Sequence, residues 1–403
     1  SRYVHFLVNE ITLARCQIMR HDAFSDWCER LFSNEMRRAA LLIERACDSY
    51  LTKVYRDLNL GKRLAEPTTA ADLALALGFI DSADITLEAL LWRLSQHTEI
   101  VNAEIGDPLR FVASSPASDP AMTLTDIEAE LRSMGGNYTA PLELLAFGVE
   151  HFSRALGEDS GFMDRLLSGR EPAFAELWHR ATNVDPLQDV HGVMGAEFIA
   201  RSFDSGTILE IGGGTGNGIR HLLRRLAEDN AIDRIDKYIF TDISMRFIFE
   251  TKKEITADYP SLTTAWRYVD INMPLSAQKI EPSSIDVIFA VNAAHVARDL
   301  LGFLQECKVC LRPGGQVVFA ERIREDPRMM APRELALNLS IYHRTAAERN
   351  ADYRPVHCYL TADNWLNVLK LAGFEQAATV PEPARLAEIL PSAYATVVTA
   401  TRP

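Results

Sequence analysis

Two side chains suited to proton transfer follow neighbouring apolar segments of the sequence. His295 comes after the run at 285–292, and Glu321 ends the run at 311–321. Histidine has an unperturbed pKa of about 6.5, so it gains and loses a proton near neutral pH. A carboxylate that accepts from one ring nitrogen fixes the tautomer and leaves the other nitrogen as a base. The pair is therefore a candidate base for a hydroxyl group or for a carbon acidified by two carbonyl groups.

The spacing of this pair fits two adjacent parallel strands. Glu321 follows His295 by 26 positions, which is enough for one helix and one strand. Adjacent strands lie ~4.8 Å apart, so a carboxylate at one tip can reach an imidazole at the next. In an alternative interpretation, His295 only caps a helix that begins near Asp299, and Glu321 pairs with an arginine such as Arg322 or Arg324.

A glycine-rich turn lies between the strand predicted at 207–211 and the helix predicted at 219–228. It has the spacing E-x-G-x-G-x-G, formed by Glu210, Gly212, Gly214 and Gly216. In the nicotinamide fingerprint G-x-G-x-x-G, the turn and the helix N-terminus cradle a pyrophosphate. An acid ahead of the glycines instead suits a cofactor that has no phosphates and carries a cationic methionyl group. The turn therefore predicts S-adenosylmethionine, although a lone glycine turn is also compatible with a purely structural role.

Acids at the ends of the next strands strengthen this cofactor prediction. Asp242 ends the segment at 238–242, where ligands of doubly wound sheets bind ribose hydroxyls. Asp270 follows a short strand and is predicted to accept from the adenine amino group, with Ile271 against the ring; alternatively, Asp270 only caps a helix. The remaining residues assigned to the cofactor site are Ile243 and Asn292.

Strands and helices alternate through this region, which predicts an α/β fold with a parallel sheet. The runs ILEIGGGTG, YIFTDIS, VNAAH and LRPGGQVVFAE resemble class I S-adenosylmethionine-dependent methyltransferases over roughly residues 200–325. The resemblance implies a Rossmann-like, mostly parallel sheet of seven strands. Its last two strands are expected near Phe374 and at 394–401, as an antiparallel pair at the edge.

Within that family, the FTDIS run and the histidine after the fourth strand are similar to the methyltransferase domains of polyketide synthases. This likeness implies that His295 and Glu321 are catalytic and that the substrate is an acyl group, free or tethered to a carrier protein. The sequence departs from those domains at two places, and both carbon and oxygen therefore remain possible acceptor atoms. Residues 295–297 read His-Val-Ala where those domains have His-Ala-Thr, and residues 337–344 stand where they tend to have Gly-Trp-Trp.

Three domains are predicted along the chain. Residues 1–125 form a mainly helical domain, resembling either a winged-helix dimerisation domain or a helical lid, and end near a linker at 114–120. Residues 126–200 form a helical bridge, and residues 201–403 form the cofactor-binding core with an insertion at about 322–360. The predicted acceptor pocket contains Tyr342, His343 and His357.

Charge and composition exclude several classes of function. The formal net charge of −13 and the lack of a basic stripe oppose nucleic-acid binding. No apolar run approaches the ~18–20 residues of a membrane helix, so we expect a cytoplasmic protein. Cys307 and Cys310 share one face of a predicted helix, which favours packing over a metal or redox site. No metal is expected. His295, Glu321, His343 and His357 could in principle converge on a metal ion, but no spacing in the sequence requires it.

The sequence thus predicts a methyltransferase of polyketide or natural-product biosynthesis that acts on an activated carbon. An O-methyltransferase and a catalytically silent scaffold domain remain the alternatives. The chain is expected to act within a larger synthase or as a homodimer.

Overall fold

The computed structural model describes residues 21–114, 122–168, 171–389 and 395–403. They divide into two compact units. The core unit comprises the residues up to Arg37, Val190–Ile323 and Ala362–Pro403, and the helical unit comprises Arg38–Asp189 and Arg324–Thr361. These bounds differ from the predicted divisions at 125 and 200, because the segments on both sides of residue 125 belong to one unit together with the insertion. Apart from Ser114, the predicted linker lies outside the described residues.

The helical unit contains the helices expected in the first third of the chain. Its first long helix is the part of Asn34–Asp57 from Arg38 onward, and Thr69 caps the helix Ala70–Leu77 by accepting from Asp72 N. A short antiparallel pair of strands follows, β1 (Val101–Glu104) and β2 (Arg110–Ala113). The other helices are Leu60–Arg63, Ala83–His97, Leu124–Ser133, Ala140–Glu150, Phe152–Leu156, Phe162–Leu167, Pro172–His179, Glu334–Asn338 and Ile341–Thr345, with a π-helical turn at Arg180–Val184.

The core unit is built on a seven-stranded sheet. Its strands are β3 (Gly206–Ile211), β4 (Ile235–Asp242), β5 (Thr264–Tyr268), β6 (Ile285–Val291), β7 (Leu311–Arg322), β8 (Glu375–Val380) and β9 (Ala395–Thr401). Their spatial order is β5-β4-β3-β6-β7-β9-β8. The first five are parallel, whereas β9 runs antiparallel to both β7 and β8. The predicted class I methyltransferase fold is therefore confirmed, including its antiparallel edge.

Helices cover this sheet, as buried apolar strands require. Ile208, Leu209, Phe289 and Phe319 are all fully buried. The covering helices are Asn217–Glu228, Met245–Asp258, Leu300–Cys310 and Ala362–Leu371, together with the part of Pro186–Ser202 from Val190 onward. The core unit also contains the helix Pro383–Ile389 and helical residues 21–31. Short 3₁₀ turns occupy Ile232–Arg234, Ser276–Gln278 and Ala294–Val296.

The strand order determines where a ligand can bind. β3 lies inside the sheet, with β4 on one side and β6 on the other, so the chain reverses its direction of winding at β3. In open α/β sheets, ligands bind beyond the carboxyl ends of the strands at such a switch point. The glycine turn follows β3, and the segments with Asp242 and His295 follow β4 and β6. The fold therefore brings the predicted site residues of the core unit together at the carboxyl ends of the parallel strands.

Two remaining predictions concern cysteines and membranes. Cys307 and Cys310 are fully buried free thiols in the helix Leu300–Cys310, and burial raises the pKa of Cys310 to about 12. Thiolate chemistry is therefore disfavoured, in agreement with a packing role. Within the described ranges, no helix has the length and apolar character that crossing a membrane requires.

Candidate active site

His295 and Glu321 are in direct contact. His295 lies in the 3₁₀ turn Ala294–Val296 after β6, and Glu321 lies near the end of β7. The distance between His295 Nδ1 and Glu321 Oε2 is 2.7 Å. Both side chains are buried, with 5% and 0% of their surfaces exposed. A carboxylate can only accept hydrogen bonds, so with Glu321 as a carboxylate, the histidine tautomer that satisfies this contact carries its proton on Nδ1.

The second oxygen of Glu321 holds the backbone of the same turn. Glu321 Oε1 accepts from Ala294 N at 2.9 Å and from His295 N at 3.4 Å. The carboxylate therefore fixes both the imidazole ring and the peptide that carries it. The helix that follows has its own cap, because Asp299 Oδ1 accepts from Gly302 N at 2.9 Å. This geometry disfavours the interpretation in which His295 serves as the cap.

The glycine turn passes close to this pair. Gly212, Gly214 and Gly216 all have positive φ angles, of 61°, 54° and 87°. A Cβ added to Gly212 would approach Ala293 Cβ at 2.8 Å, two residues before His295. A Cβ added to Gly214 would meet only the Gly212 carbonyl oxygen, at 4.0 Å, and otherwise open space. The turn therefore leaves room for a ligand above Gly214 and borders the histidine turn through Gly212.

Asp242 is anchored by backbone amides at the end of β4. Its Oδ2 accepts from Gly214 N at 2.8 Å and its Oδ1 from Ser244 N at 2.7 Å. The side chain is almost fully buried, and burial raises its pKa. The Ile243 amide also interacts with this carboxylate. A carboxylate has about four acceptor sites, so it keeps capacity for a hydroxyl group and suits the predicted ribose contact. Ile243 beside it is 59% exposed. Both cofactor assignments stay predictions.

Glu210 is buried beneath the turn. Tyr238 donates its hydroxyl hydrogen to Glu210 Oε2 at 2.8 Å, and Oε1 is buried without a hydrogen-bond partner among the described residues. Full burial raises the pKa of Glu210 to about 8. The Tyr238 contact ties β3 to β4, and direct contact of Glu210 with the cofactor stays a prediction. Sequence reasoning missed Tyr238, although the tyrosine that opens the YIFTD run was a usable signal.

The buried carboxyl of Glu210 should make stability depend on pH. Its pKa is higher in the folded protein than the ordinary 4.5, so the folded state binds the proton more tightly. This stabilisation is complete below pH 4.5 and is lost as pH rises through about 8. In Glu210→Gln the amide cannot ionise, so the free energy of unfolding should fall less over this window. Between pH 4.5 and 8, the free energy of unfolding should fall by at least about 1.4 kcal/mol more in the wild type than in Glu210→Gln, the equivalent of a pKa shift of one unit.

Urea unfolding at a series of pH values measures this effect. Glu250→Gln is the matched control, because Glu250 is an exposed carboxylate paired with Arg246 four positions earlier on the surface of its helix. The control should reproduce the wild-type pH profile. Parallel profiles for Glu210→Gln and the wild type would contradict a raised pKa at Glu210.

The loop with Asp270 is held by a glutamine that sequence reasoning missed. Gln278 Oε1 accepts from Asp270 N at 2.8 Å, and Gln278 Nε2 donates to Asp270 O at 2.9 Å. Asp270 Oδ1 accepts from Asn272 N at 2.9 Å, and Asn272 Oδ1 accepts from Arg298 N at 2.7 Å. The loop is thus connected to the segment that follows His295. The adenine contacts of Asp270 and of the half-buried Ile271 stay predictions, and no sequence pattern singled out Gln278.

The residues predicted for the acceptor pocket belong to the helical unit. Tyr342 is 52% exposed, and His343 is partly buried. His357 is almost fully buried, and its Nε2 lies 2.8 Å from Asn338 Oδ1. Burial, with nearby cations such as Arg324, lowers the pKa of His357 to about 3. His357 is therefore a neutral polar group at physiological pH, and the acceptor-pocket role of all three residues stays a prediction.

The core unit fits the predicted cofactor. Open space above Gly214 and the partly used carboxylate of Asp242 suit an adenosine group next to the glycine turn. Glu210 lies below the turn as a buried acid, and none of the cationic side chains in the described part of the chain is hydrogen-bonded to it. Across the described residues, no group of three or more His, Cys, Asp or Glu side chains is arranged to hold a metal ion.

Comparison with known proteins identifies the class of domain. Residues 209–317 match a family described as "Methyltransferase domain". The chain is 27% identical over 222 residues to the highly reducing polyketide synthase resH of Aspergillus sclerotiorum, which covers 53% of this chain and 8% of that protein. It is 35% identical over 118 residues to the compactin diketide synthase mlcB of Penicillium citrinum, covering 29% and 4%. The chain thus spans less than a tenth of the length of these relatives.

Solved structures share the fold over nearly the whole chain. The CurJ carbon methyltransferase aligns with a TM-score of 0.72 and 21% identity, covering 94% of this chain and 96% of that one. The methyltransferase domain of the citrinin polyketide synthase aligns with a TM-score of 0.69 and 16% identity, covering 96% of each chain. At these identities, the likeness establishes the fold.

Proposed function

Because this chain contains a class I methyltransferase domain that resembles those of polyketide synthases, we propose that it methylates an activated carbon of an acyl intermediate. The acceptor is a β-ketoacyl group tethered to a carrier protein. The cofactor of this family is S-adenosylmethionine, and bound cofactor supplies an electrophilic methyl group on a sulfonium sulfur.

One observation carries the proposal, the buried His295–Glu321 pair next to the glycine turn. Methyl transfer to a carboxylate needs no base, but transfer to carbon between two carbonyl groups requires removal of a proton. A histidine whose Nδ1 donates to a buried carboxylate has Nε2 as its basic nitrogen. The pair therefore supplies the group that carbon methylation needs.

The residues then have distinct tasks. The glycine turn and Asp242 hold the adenosine group, with Asp270 at the adenine ring. His295 Nε2 would take the proton from the α-carbon, and the C–H electron pair, as an enolate, would form the new carbon–carbon bond to the methyl group. The methyl–sulfur bond would break at the same time, and its electron pair would remain on the sulfur of the departing S-adenosylhomocysteine. Glu321 stabilises the imidazolium that results, since a carboxylate contacts Nδ1 at 2.7 Å.

The curated relatives support the acyl substrate. They are named as polyketide synthases, and the chain spans a small share of each. A domain of such a synthase meets its substrates on a carrier protein, so we propose that this chain acts within a larger synthase or together with one. Oxygen methylation uses the same cofactor and base, and the position of the transferred methyl group separates the two reactions.

Mass spectrometry with methyl-labelled S-adenosylmethionine tests the proposal. The enzyme is incubated with a β-ketoacyl group on a phosphopantetheine carrier, and fragmentation locates the label. We expect the label on the α-carbon. A second sample contains the same acyl chain without the β-carbonyl group, and it should remain unlabelled because its α-proton is too weakly acidic for histidine.

The variant His97→Ala serves as a matched control. His97 also contacts a carboxylate, with Nδ1 3.1 Å from Asp48 Oδ2, but it lies partly exposed at the end of a helix in the helical unit. Its loss should leave labelling intact. Label on oxygen, or activity only on free phenols and hydroxy acids, would contradict carbon methylation and identify an O-methyltransferase.

A further inference from the structure

Asn292 adopts a backbone conformation that non-glycine residues seldom use. Its φ angle is 48°, in the left-handed region. Asparagine tolerates this region better than most residues because its short polar side chain bonds locally. The conformation ends β6 at Val291 and redirects the chain toward the turn that carries His295. A strained residue three positions before the histidine indicates a local requirement.

Asn292 also holds both neighbours of Glu321 in place. Its backbone N donates to Ala320 O at 2.9 Å, which extends the β6–β7 pairing by one step beyond Val291 and Ala320. Its side-chain Oδ1 accepts from Arg322 N at 2.8 Å. The side-chain carbonyl thus replaces the backbone acceptor that β6 no longer offers after the turn. Glu321 lies between the two fixed residues.

The orientation of the amide follows from this contact. Arg322 N can only donate, so the atom facing it is Oδ1, and the amide nitrogen Nδ2 points elsewhere. Nδ2 is buried and has no hydrogen-bond partner among the residues that the structure describes. Asn292 was assigned to the cofactor site from sequence, and such a nitrogen would fit that role. The two contacts to β7, however, hold the carboxylate of the His295–Glu321 pair, hereafter the dyad.

We propose that Asn292 is a positioning residue that fixes Glu321, and through it the His295 tautomer. This inference rests on the proposed function only in treating the dyad as the base. Without the Arg322 contact, the end of β7 is held from the β6 side through Ala320 alone. The pairing of Glu321 and Arg322 with β9 on the other side keeps the register of β7. Glu321 nevertheless loses the fixed position that lets one oxygen reach Nδ1 and the other reach Ala294 N.

Three variants separate the features of Asn292. Asn292→Gly keeps the left-handed backbone but removes the acceptor. Asn292→Asp keeps a side-chain acceptor and removes the Nδ2 donor. Asn292→Ala removes the acceptor and also strains the backbone. We expect kcat to fall about 10- to 100-fold in the glycine variant, the loss typical of small misplacements of catalytic groups. The aspartate variant should recover most of this loss, and affinity for S-adenosylmethionine should change little in either.

Nitrogen-15 NMR of the cofactor-free enzyme supplies a readout that is independent of turnover. In the wild type and the aspartate variant, His295 should carry its proton on Nδ1. In the glycine variant, the ring should populate both tautomers. Circular dichroism at each step confirms that the variants are folded.

Two results would overturn the inference. The first is an unchanged His295 tautomer and an unchanged kcat in the glycine variant. The second is a loss of cofactor affinity in all three variants with wild-type rates at saturating cofactor, which would assign Asn292 to the cofactor instead. Two other results would show that the proposed function is wrong: label on oxygen, or full turnover in His295→Ala. Neither result affects the tautomer measurement.

Discussion

Replacement of His295 by alanine should lower kcat by about 10²- to 10⁴-fold, the usual contribution of a positioned general base. The reason is that the ring nitrogen that takes the substrate proton is removed, while the contacts assigned to the cofactor remain. The dissociation constant for S-adenosylmethionine should therefore stay within about twofold of wild type, a free-energy change of about 0.4 kcal/mol. Single-turnover methylation and calorimetric cofactor binding measure the two quantities.

Glu321→Gln is the companion variant, because it preserves shape while reversing the hydrogen bond. The amide oxygen must accept from Ala294 N, as Oε1 does in the wild type. The amide nitrogen then faces His295 Nδ1 and donates to it, which forces the ring proton onto Nε2. The base is blocked although the ring stays in place. We expect a loss in kcat comparable to that of His295→Ala.

Full turnover in His295→Ala with unchanged cofactor affinity would show that the dyad is not the base. A large loss in His295→Ala without loss in Glu321→Gln would retain the histidine and reject the tautomer argument. The His97→Ala control separates both outcomes from a general effect of removing a histidine that contacts a carboxylate.

Replacement of Asp242 should weaken cofactor binding and leave the chemical step intact. Hydrogen bonds to charged groups contribute about 1.5–3 kcal/mol. Asp242→Ala should therefore raise the dissociation constant of S-adenosylmethionine or S-adenosylhomocysteine by about 10- to 150-fold. Part of this loss comes from the turn itself, since Asp242 Oδ2 accepts from Gly214 N and Oδ1 from Ser244 N. At saturating cofactor, kcat should return close to the wild-type value.

Two further variants identify the source of this loss. Asp242→Asn keeps an oxygen for one backbone amide and removes the charge, so its affinity should fall between those of the wild type and Asp242→Ala. Glu250→Ala removes one exposed negative charge from the following helix and should leave affinity unchanged. Wild-type affinity in both Asp242 variants would remove the ribose assignment.

Local sequence patterns determined most of the core unit. Apolar runs predicted β3, β4, β6 and β7, because parallel strands are buried on both faces, and their functional residues follow the carboxyl ends. The contact between His295 and Glu321 was predicted from the same rule, since adjacent strand tips lie within side-chain reach. The glycine turn was readable because its positive φ angles require glycine or a few polar residues.

Tertiary structure decided the contacts that support this site. Tyr238 on Glu210, Gln278 on Asp270 and Asn292 on Arg322 join segments whose separation along the chain gives no periodic signal. The division into units was also decided there, because residues 324–361 belong to the same unit as 38–189. Short-range patterns report backbone preference and burial, whereas these contacts depend on which segments pack together after folding. The sequence by itself therefore determined the fold class, the cofactor class and the contact between His295 and Glu321, and only the folded chain decided which side chains hold that site in position.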